Sequence, residues 1–237
     1  MQDDASNQRS ASEVVSGSTG PLWPTYDLTA AIMRLTVTSG GHGTGFQIRH
    51  DDKDYLVTAA HGMPDGEDRV EFLISRHSGL GSQHVTLQRV DELDDDNPGD
   101  VAIFSLPPQP HYLSSEMLTT SGIGLGQDVM VIGYPFGQAF PVSIGGKSYS
   151  TQMVKRGGLA AIGEDEMFLD LVANPGFSGA PVFFYEPREK KTLIAGMIKE
   201  TGTLAATDGT GGIPSAYADI SVGSWSGAIV KRLKISL

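Results

Sequence analysis

Short apolar runs, each closed off by glycine, proline or small polar residues, recur from residue 31 nearly to the end of the chain. Runs this short, with turn formers between them, read as β-strands rather than helices. In the first half they predict strands over residues 31–37, 43–48, 55–60, 70–75, 84–90 and 101–106, with a turn at Ser39-Gly40-Gly41-His42. In the second half they predict strands over 127–132, 140–144, 148–155, 158–162, 167–172, 181–185, 193–199 and 216–221. Between the halves, Pro107, Pro108 and Pro110 each remove a backbone donor and stop any strand continuing. The period changes once: Trp225, Ile229 and Leu233 recur at helical spacing, with Lys231, Arg232 and Lys234 at the end where the helix dipole favours cations. The expected organisation is a disordered N-terminal tail over 1–22, a first β unit over 23–106, a connection over 107–125, and a second β unit with a C-terminal helix over 126–237.

Composition sharpens this picture. Thirty glycines and thirteen prolines spread over 237 residues supply the many turns of an all-β protein. A chain of this length buries roughly 70% or more of its unfolded surface, so it needs neither a metal nor a disulfide to be stable. Seventeen basic against 28 acidic side chains give a net charge of −11, which repels phosphate backbones and anionic lipid, so neither nucleic acid nor membrane is an expected partner. No run approaches the ~20 apolar residues of a membrane span. The first residues carry neither basic groups nor an apolar run, unlike a secretory signal, and cysteine is absent. The expected location is cytoplasmic.

Three of the apolar runs abut chemistry-bearing residues. Leu56-Val57-Thr58-Ala59-Ala60 ends in His61, Gly99-Asp100-Val101-Ala102-Ile103 opens with Asp100, and Asn174-Pro175-Gly176-Phe177-Ser178-Gly179-Ala180-Pro181 presents Ser178 on a Gly- and Pro-rich turn. Such a turn bends sharply, exposes a hydroxyl and aims amides at one point. Together the three supply a general base, an orienting carboxylate and a nucleophile. All six histidines precede Ser178, and Ala180 stands where an α/β-hydrolase elbow needs glycine, so that family is excluded. Subtilisin's aspartate-first order does not fit, and without cysteine no thiol protease is possible.

The segments around His61, Asp100 and Ser178 resemble the three signature segments of trypsin-like (chymotrypsin-fold) serine peptidases. Val131-Ile132-Gly133-Tyr134-Pro135-Phe136-Gly137 is similar to a segment of their bacterial Deg-type branch, without room after Ser178 for a peptide-binding domain. The resemblance implies an all-β fold of two packed six-stranded Greek-key barrels with a short C-terminal helix. It implies a serine endopeptidase that needs no cofactor, acts on a protein or peptide and proceeds through an acyl-enzyme, with catalytic residues His61, Asp100 and Ser178. It also places the oxyanion hole at the backbone amides of Gly176 and Ser178, and the substrate pocket near Val172, Lys199 to Thr201 and Ser215. Val172 stands where an aspartate would select Lys or Arg, so an uncharged P1 residue is expected. Phe177 stands where animal zymogens carry aspartate, so the loop must be set by packing or by an activating partner rather than by N-terminal cleavage.

Two other readings compete: a catalytically silent, protease-like binding or scaffold module, and an esterase on the same fold. The remaining polar clusters read as structural. Asp91-Glu92-Leu93-Asp94-Asp95-Asp96-Asn97 is expected to be a solvated acidic loop, because it lacks the spaced ligands of a Ca²⁺ loop. Gly145-Gly146-Lys147-Ser148 lacks the earlier glycine of a phosphate loop and reads as a hairpin turn. No metal is assigned to His77 and His84, which straddle a Gly-Ser turn.

Overall fold

The structure is a computed structural model, and it describes residues 22–38, 40–64, 66–76, 82–91, 99–119, 121–144, 146–205 and 217–234. The expected tail falls outside these residues apart from Leu22, and so do His77 and all of the acidic cluster except Asp91.

The first half folds as β1 (Ile32–Val37), β2 (His42–His50), β3 (Lys53–Ala59), β4 (Arg69–Arg76), β5 (Ser82–Gln88) and β6 (Val101–Leu106). These strands are antiparallel neighbours in the order β5-β4-β1-β2-β3-β6, and the two-residue β7 (Leu113–Ser114) adds in parallel to β2. The sheet curls until its edges meet at one bridge, Arg89 opposite Phe104, backed by the Val90 amide donating to Ile103 O at 2.9 Å. It is therefore a half-barrel closed at a single point rather than a ladder closed all round.

The second half forms a closed six-stranded barrel in the order β11-β12-β15-β14-β13-β8. Its strands are β8 (Asp128–Gly133), β11 (Met153–Ile162), β12 (Glu166–Asp170), β13 (Pro181–Glu186), β14 (Lys191–Ala205) and β15 (Tyr217–Trp225). The hairpin of β9 (Phe140–Ile144) and β10 (Lys147–Thr151) stands outside it, and the helix α2 (Ser226–Leu233) follows its last strand.

Why the runs are apolar at consecutive positions, rather than at every second one, follows from where the two faces of each strand go. Along β6, Ala102 and Phe104 point into the half-barrel core with Met33, Leu35, Leu56 and Phe72. Val101 and Ile103 point the other way, into a cluster shared with Met130 and Ile132 of β8 and Ile229 of α2. In β8 itself, Val129 and Val131 fill the closed barrel with Leu159, Leu169 and Phe184. Strands at the junction thus bury both faces, which removes the polar half of the usual alternation.

Three local readings are corrected. The strand expected over 148–155 is two strands, because Gln152 turns inward and donates to Thr29 O at 2.7 Å; β11 then runs on through the separate strand expected at 158–162. A short helix α1 (Tyr26–Ala30), capped by Thr25 Oγ1, precedes β1, where no periodicity pointed to one. Asp91 is not solvated: it is buried and accepts from Arg89 at 2.9 Å, from Arg232 of α2 at 2.9 Å and from the Ile103 amide at 2.9 Å. A carboxylate with that many donors is satisfied inside the protein, which pattern reading of an acidic run cannot anticipate. No helix among the described residues is long and apolar enough to cross a membrane.

Candidate active site

β3 and β6 are antiparallel neighbours, with Ala59 opposite Val101. That register brings the residue after β3 and the residue before β6 together, and the Ala60 amide donates to Asp100 O at 2.8 Å. Asp100 adopts a left-handed backbone conformation with φ 47°, which Asp tolerates better than most residues. Its carboxylate then turns back on His61: Oδ1 accepts from the His61 amide at 2.8 Å and Oδ2 from His61 Nδ1 at 2.6 Å. A carboxylate only accepts, so Nδ1 carries the proton and Nε2 is left with a free lone pair. The Asp100 side chain is 10% exposed and that of His61 51%, so the ring has a held side and an open side. The bond to Asp100 raises the His61 pKa above its ordinary 6.5, against the opposing effect of partial burial.

Ser178 comes from the segment between β12 and β13. Two tight turns shape it, with Phe177 N–H donating to Asn174 O at 3.1 Å and Ala180 N–H to Phe177 O at 2.7 Å. Gly176 and Gly179 sit at φ +95° and +84°, where a side chain would be strained. A Cβ at Gly176 would also lie 2.5 Å from Tyr134 O, and one at Gly179 would lie 2.9 Å from Ala59 N. The loop thus presses against the end of β3, two residues before His61. Phe177 is fully buried in the barrel core.

Thr44 of β2, which the sequence reading did not single out, stitches this loop to the first sheet. Its Oγ1 donates to Gly176 O at 2.7 Å and accepts from the Tyr134 amide at 3.0 Å, while its own amide donates to Ser178 O at 2.9 Å. The one available signal was a threonine between two glycines, Gly43 and Gly45, at the start of a strand. Among the described residues, neither the Gly176 nor the Ser178 amide donates a hydrogen bond, and Ser178 Oγ makes none to the His61 ring within 3.5 Å. Such bonds are often long in unliganded enzymes and tighten when substrate is bound.

The profile of the trypsin-like peptidase domain matches residues 43–188, which contain all three of these residues. The chain belongs to the trypsin-like peptidases. Among solved structures it is similar to the HtrA-type protease AlgW with a tripeptide, at 20% identity and a TM-score of 0.54, covering 87% of this chain and 60% of that one. Two structures of the Rv3671c protease in its inactive form are also similar. One, from M. tuberculosis and carrying a serine-to-alanine change, is 17% identical at a TM-score of 0.51 and covers 91% of this chain and 95% of that one. The other is 18% identical at the same TM-score and covers 88% and 90%. At these identities the likeness is one of fold. No curated protein matches the chain in sequence.

Of the pocket residues expected for a trypsin-like peptidase, Val172 is exposed at the start of the loop that carries Ser178, and its carbonyl accepts from Lys155 Nζ. Thr201 lies in β14 opposite Ser221, with its side chain outside what is described, and Ser215 lies outside the described residues. Lys199, on the same strand as Thr201, pairs with Glu166 of β12 at 2.7 Å, and that bond raises its pKa. The Lys199–Glu166 pair was not legible in the sequence, because β12 and β14 come near each other only across β15 in the closed barrel. Among the described residues no group of three or more His, Asp or Glu side chains is arranged to hold a metal ion.

Proposed function

We propose that this trypsin-like peptidase is a serine endopeptidase acting through an acyl-enzyme. Ser178 Oγ attacks the scissile carbonyl and gives its proton to His61 Nε2, which passes it to the leaving amine. Asp100 holds the ring in the tautomer this requires and favours the imidazolium that forms. The Gly176 and Ser178 amides receive the oxyanion, a contribution whose loss costs ~100 to 1,000-fold in turnover for a single donor. The observation that carries this reading is the pair of amides without an acceptor, next to a histidine whose Nε2 is open. A collapsed, silent loop would turn those amides onto a carbonyl of the chain.

A second reading, in which a partner completes the site, draws on the absence of a bond between Ser178 Oγ and the His61 ring. For the substrate, Val172, in the position that the resemblance gives to the pocket base, and the neutralisation of Lys199 by Glu166 favour an uncharged P1 side chain. Profiling with a peptide library checks this: a basic P1 preference would refute the pocket assignment.

The deciding experiment is an intact mass spectrum after incubation with diisopropyl fluorophosphate, for the wild type and Ser178→Ala. A single adduct on the wild type alone is expected. An adduct that forms on the wild type only after a partner is added supports the second reading, and none under either condition supports the silent module.

A further inference from the structure

Lys155 stands at an inward-facing position of β11: Met153 and Leu159, on the same face, belong to or pack against the barrel core, and Val131 lies directly opposite. A cation facing that side is costly unless something accepts from it. What accepts is the nucleophile loop. Lys155 Nζ donates to Val172 O and to Asn174 Oδ1 at 2.7 Å, and it stands 5.5 Å from the centre of the Phe177 ring, within reach of a cation–π attraction. Asn174 O accepts in turn from the Phe177 amide, so the grip on Asn174 extends through the turn that ends next to Ser178. From the opposite side the same loop is held by Thr44 Oγ1 on Gly176 O and by the Phe136 amide on Pro175 O at 2.5 Å.

We propose that Lys155 is a positioning residue for the nucleophile: its ammonium, fixed in the barrel wall, holds residues 172–177 so that Ser178 and the two open amides are aimed at the substrate. This rests on the peptidase reading above. In that reading the loop has no carboxylate before the nucleophile to anchor it, since Phe177 occupies that place, and Lys155 supplies the polar anchor from outside the loop.

The charge makes the role testable. Among the described residues no charged side chain faces the ammonium. β8 presents Val131, the loop presents the Val172 carbonyl, the Asn174 amide and the Phe177 ring, and Arg156 on its own strand donates to Leu22 O. Burial, unopposed by a carboxylate, lowers the Lys155 pKa from 10.5. Deprotonation at alkaline pH weakens both charge-assisted bonds and the attraction to the ring.

The test compares Lys155→Met and Lys155→Arg with the wild type, following the rate of fluorophosphonate labelling and the kcat and KM for a peptide with a small apolar P1. Lys155→Met is expected to lower labelling and kcat by about 100-fold with little change in KM, because the misplaced groups act in the transition state. The wild-type labelling rate is expected to fall at alkaline pH with a midpoint below 10.5. In Lys155→Arg, whose guanidinium keeps its charge and can reach two acceptors, the rate is expected to persist through that range. A reactive wild type whose Lys155→Met variant labels at the same rate, or whose alkaline decline survives in Lys155→Arg, overturns the inference alone. If Lys155→Met does not fold, the pH comparison of wild type with Lys155→Arg still decides. A wild type inert to both the phosphonate and the peptide sinks the peptidase reading, and the inference with it.

Discussion

Asp100 sets both the geometry and the proton affinity of His61. The left-handed turn at Asp100 lets one carboxylate oxygen take the His61 amide and the other its ring. Because Asp100 raises the His61 pKa, and a histidine acting as the proposed general base works only when neutral, kcat/KM is expected to fall with acidification through a midpoint above 6.5. Asp100→Asn removes the charge that holds the proton on Nδ1. A pH–rate profile of that variant is expected to show turnover lower by ~10,000-fold and an acid limb moved down. An unmoved limb would mean that another group titrates there. Thr44 acts on the other half of the site. Thr44→Val keeps the shape but leaves Gly176 O and the Tyr134 amide without their buried partner, at a cost of about 1–3 kcal/mol. The denaturation midpoint of this variant should drop, and its labelling by the fluorophosphonate should slow.

Among elements, β2 and β3 are tied to the connection between the two halves by one buried carboxylate. Asp54 Oδ1 accepts from Arg49 Nε at 2.6 Å, and Oδ2 accepts from Gln47 at 2.7 Å, Arg49 Nη2 at 2.9 Å and the Gln109 amide at 2.8 Å. Burial pulls the Asp54 pKa up, but these donors, Arg49 foremost, outweigh it and hold the carboxyl below its usual 3.8. A depressed folded pKa stabilises the fold above 3.8, and that stability is lost as pH falls through the folded value. Denaturant melts from pH 6 downwards should therefore show stability declining below about pH 4. Asp54→Ala is expected to lower stability at neutral pH and to flatten that decline.

These networks also mark the limit of what the residue pattern alone could convey. The junction strands were legible because burial on both faces writes an unbroken apolar run, as in β6 and β8, and His61, Asp100 and Ser178 were legible because each adjoins such a run or its turn. Asp91 and Gln152 were not, because a polar residue inside the protein looks like a surface residue until its partner is known, and Arg232 lies 141 residues from Asp91. Thr44 meets Gly176 across 132 residues for the same reason. The five residues of α1 are too few to display a helical period.

At the scale of the molecule, the second half supports the first. Ser224 at the end of β15 donates its hydroxyl to Gly99 O, and Arg232 of α2 reaches the buried Asp91. A Cβ at Gly99 would lie 2.5 Å from Ala228 Cβ, so α2 rests directly on the residue before Asp100. Gly99→Ala is expected to lower the melting temperature, at an overpacking cost of roughly 1–3 kcal/mol, and adding Ala228→Gly should recover most of the loss. Failure of the second change to rescue the first would separate α2 from the Asp100 segment.

That contact also has a place in time. A chain emerging from the ribosome exposes His61, Asp100 and then Ser178 before it has made Ser224, Ala228 or Arg232, so the contacts that seat the Asp100 segment are synthesised after all three candidate residues. In the peptidase proposed above, a chain stopped before Ser224 lacks that seat while its body is still unfolded, and it is expected not to take up the fluorophosphonate.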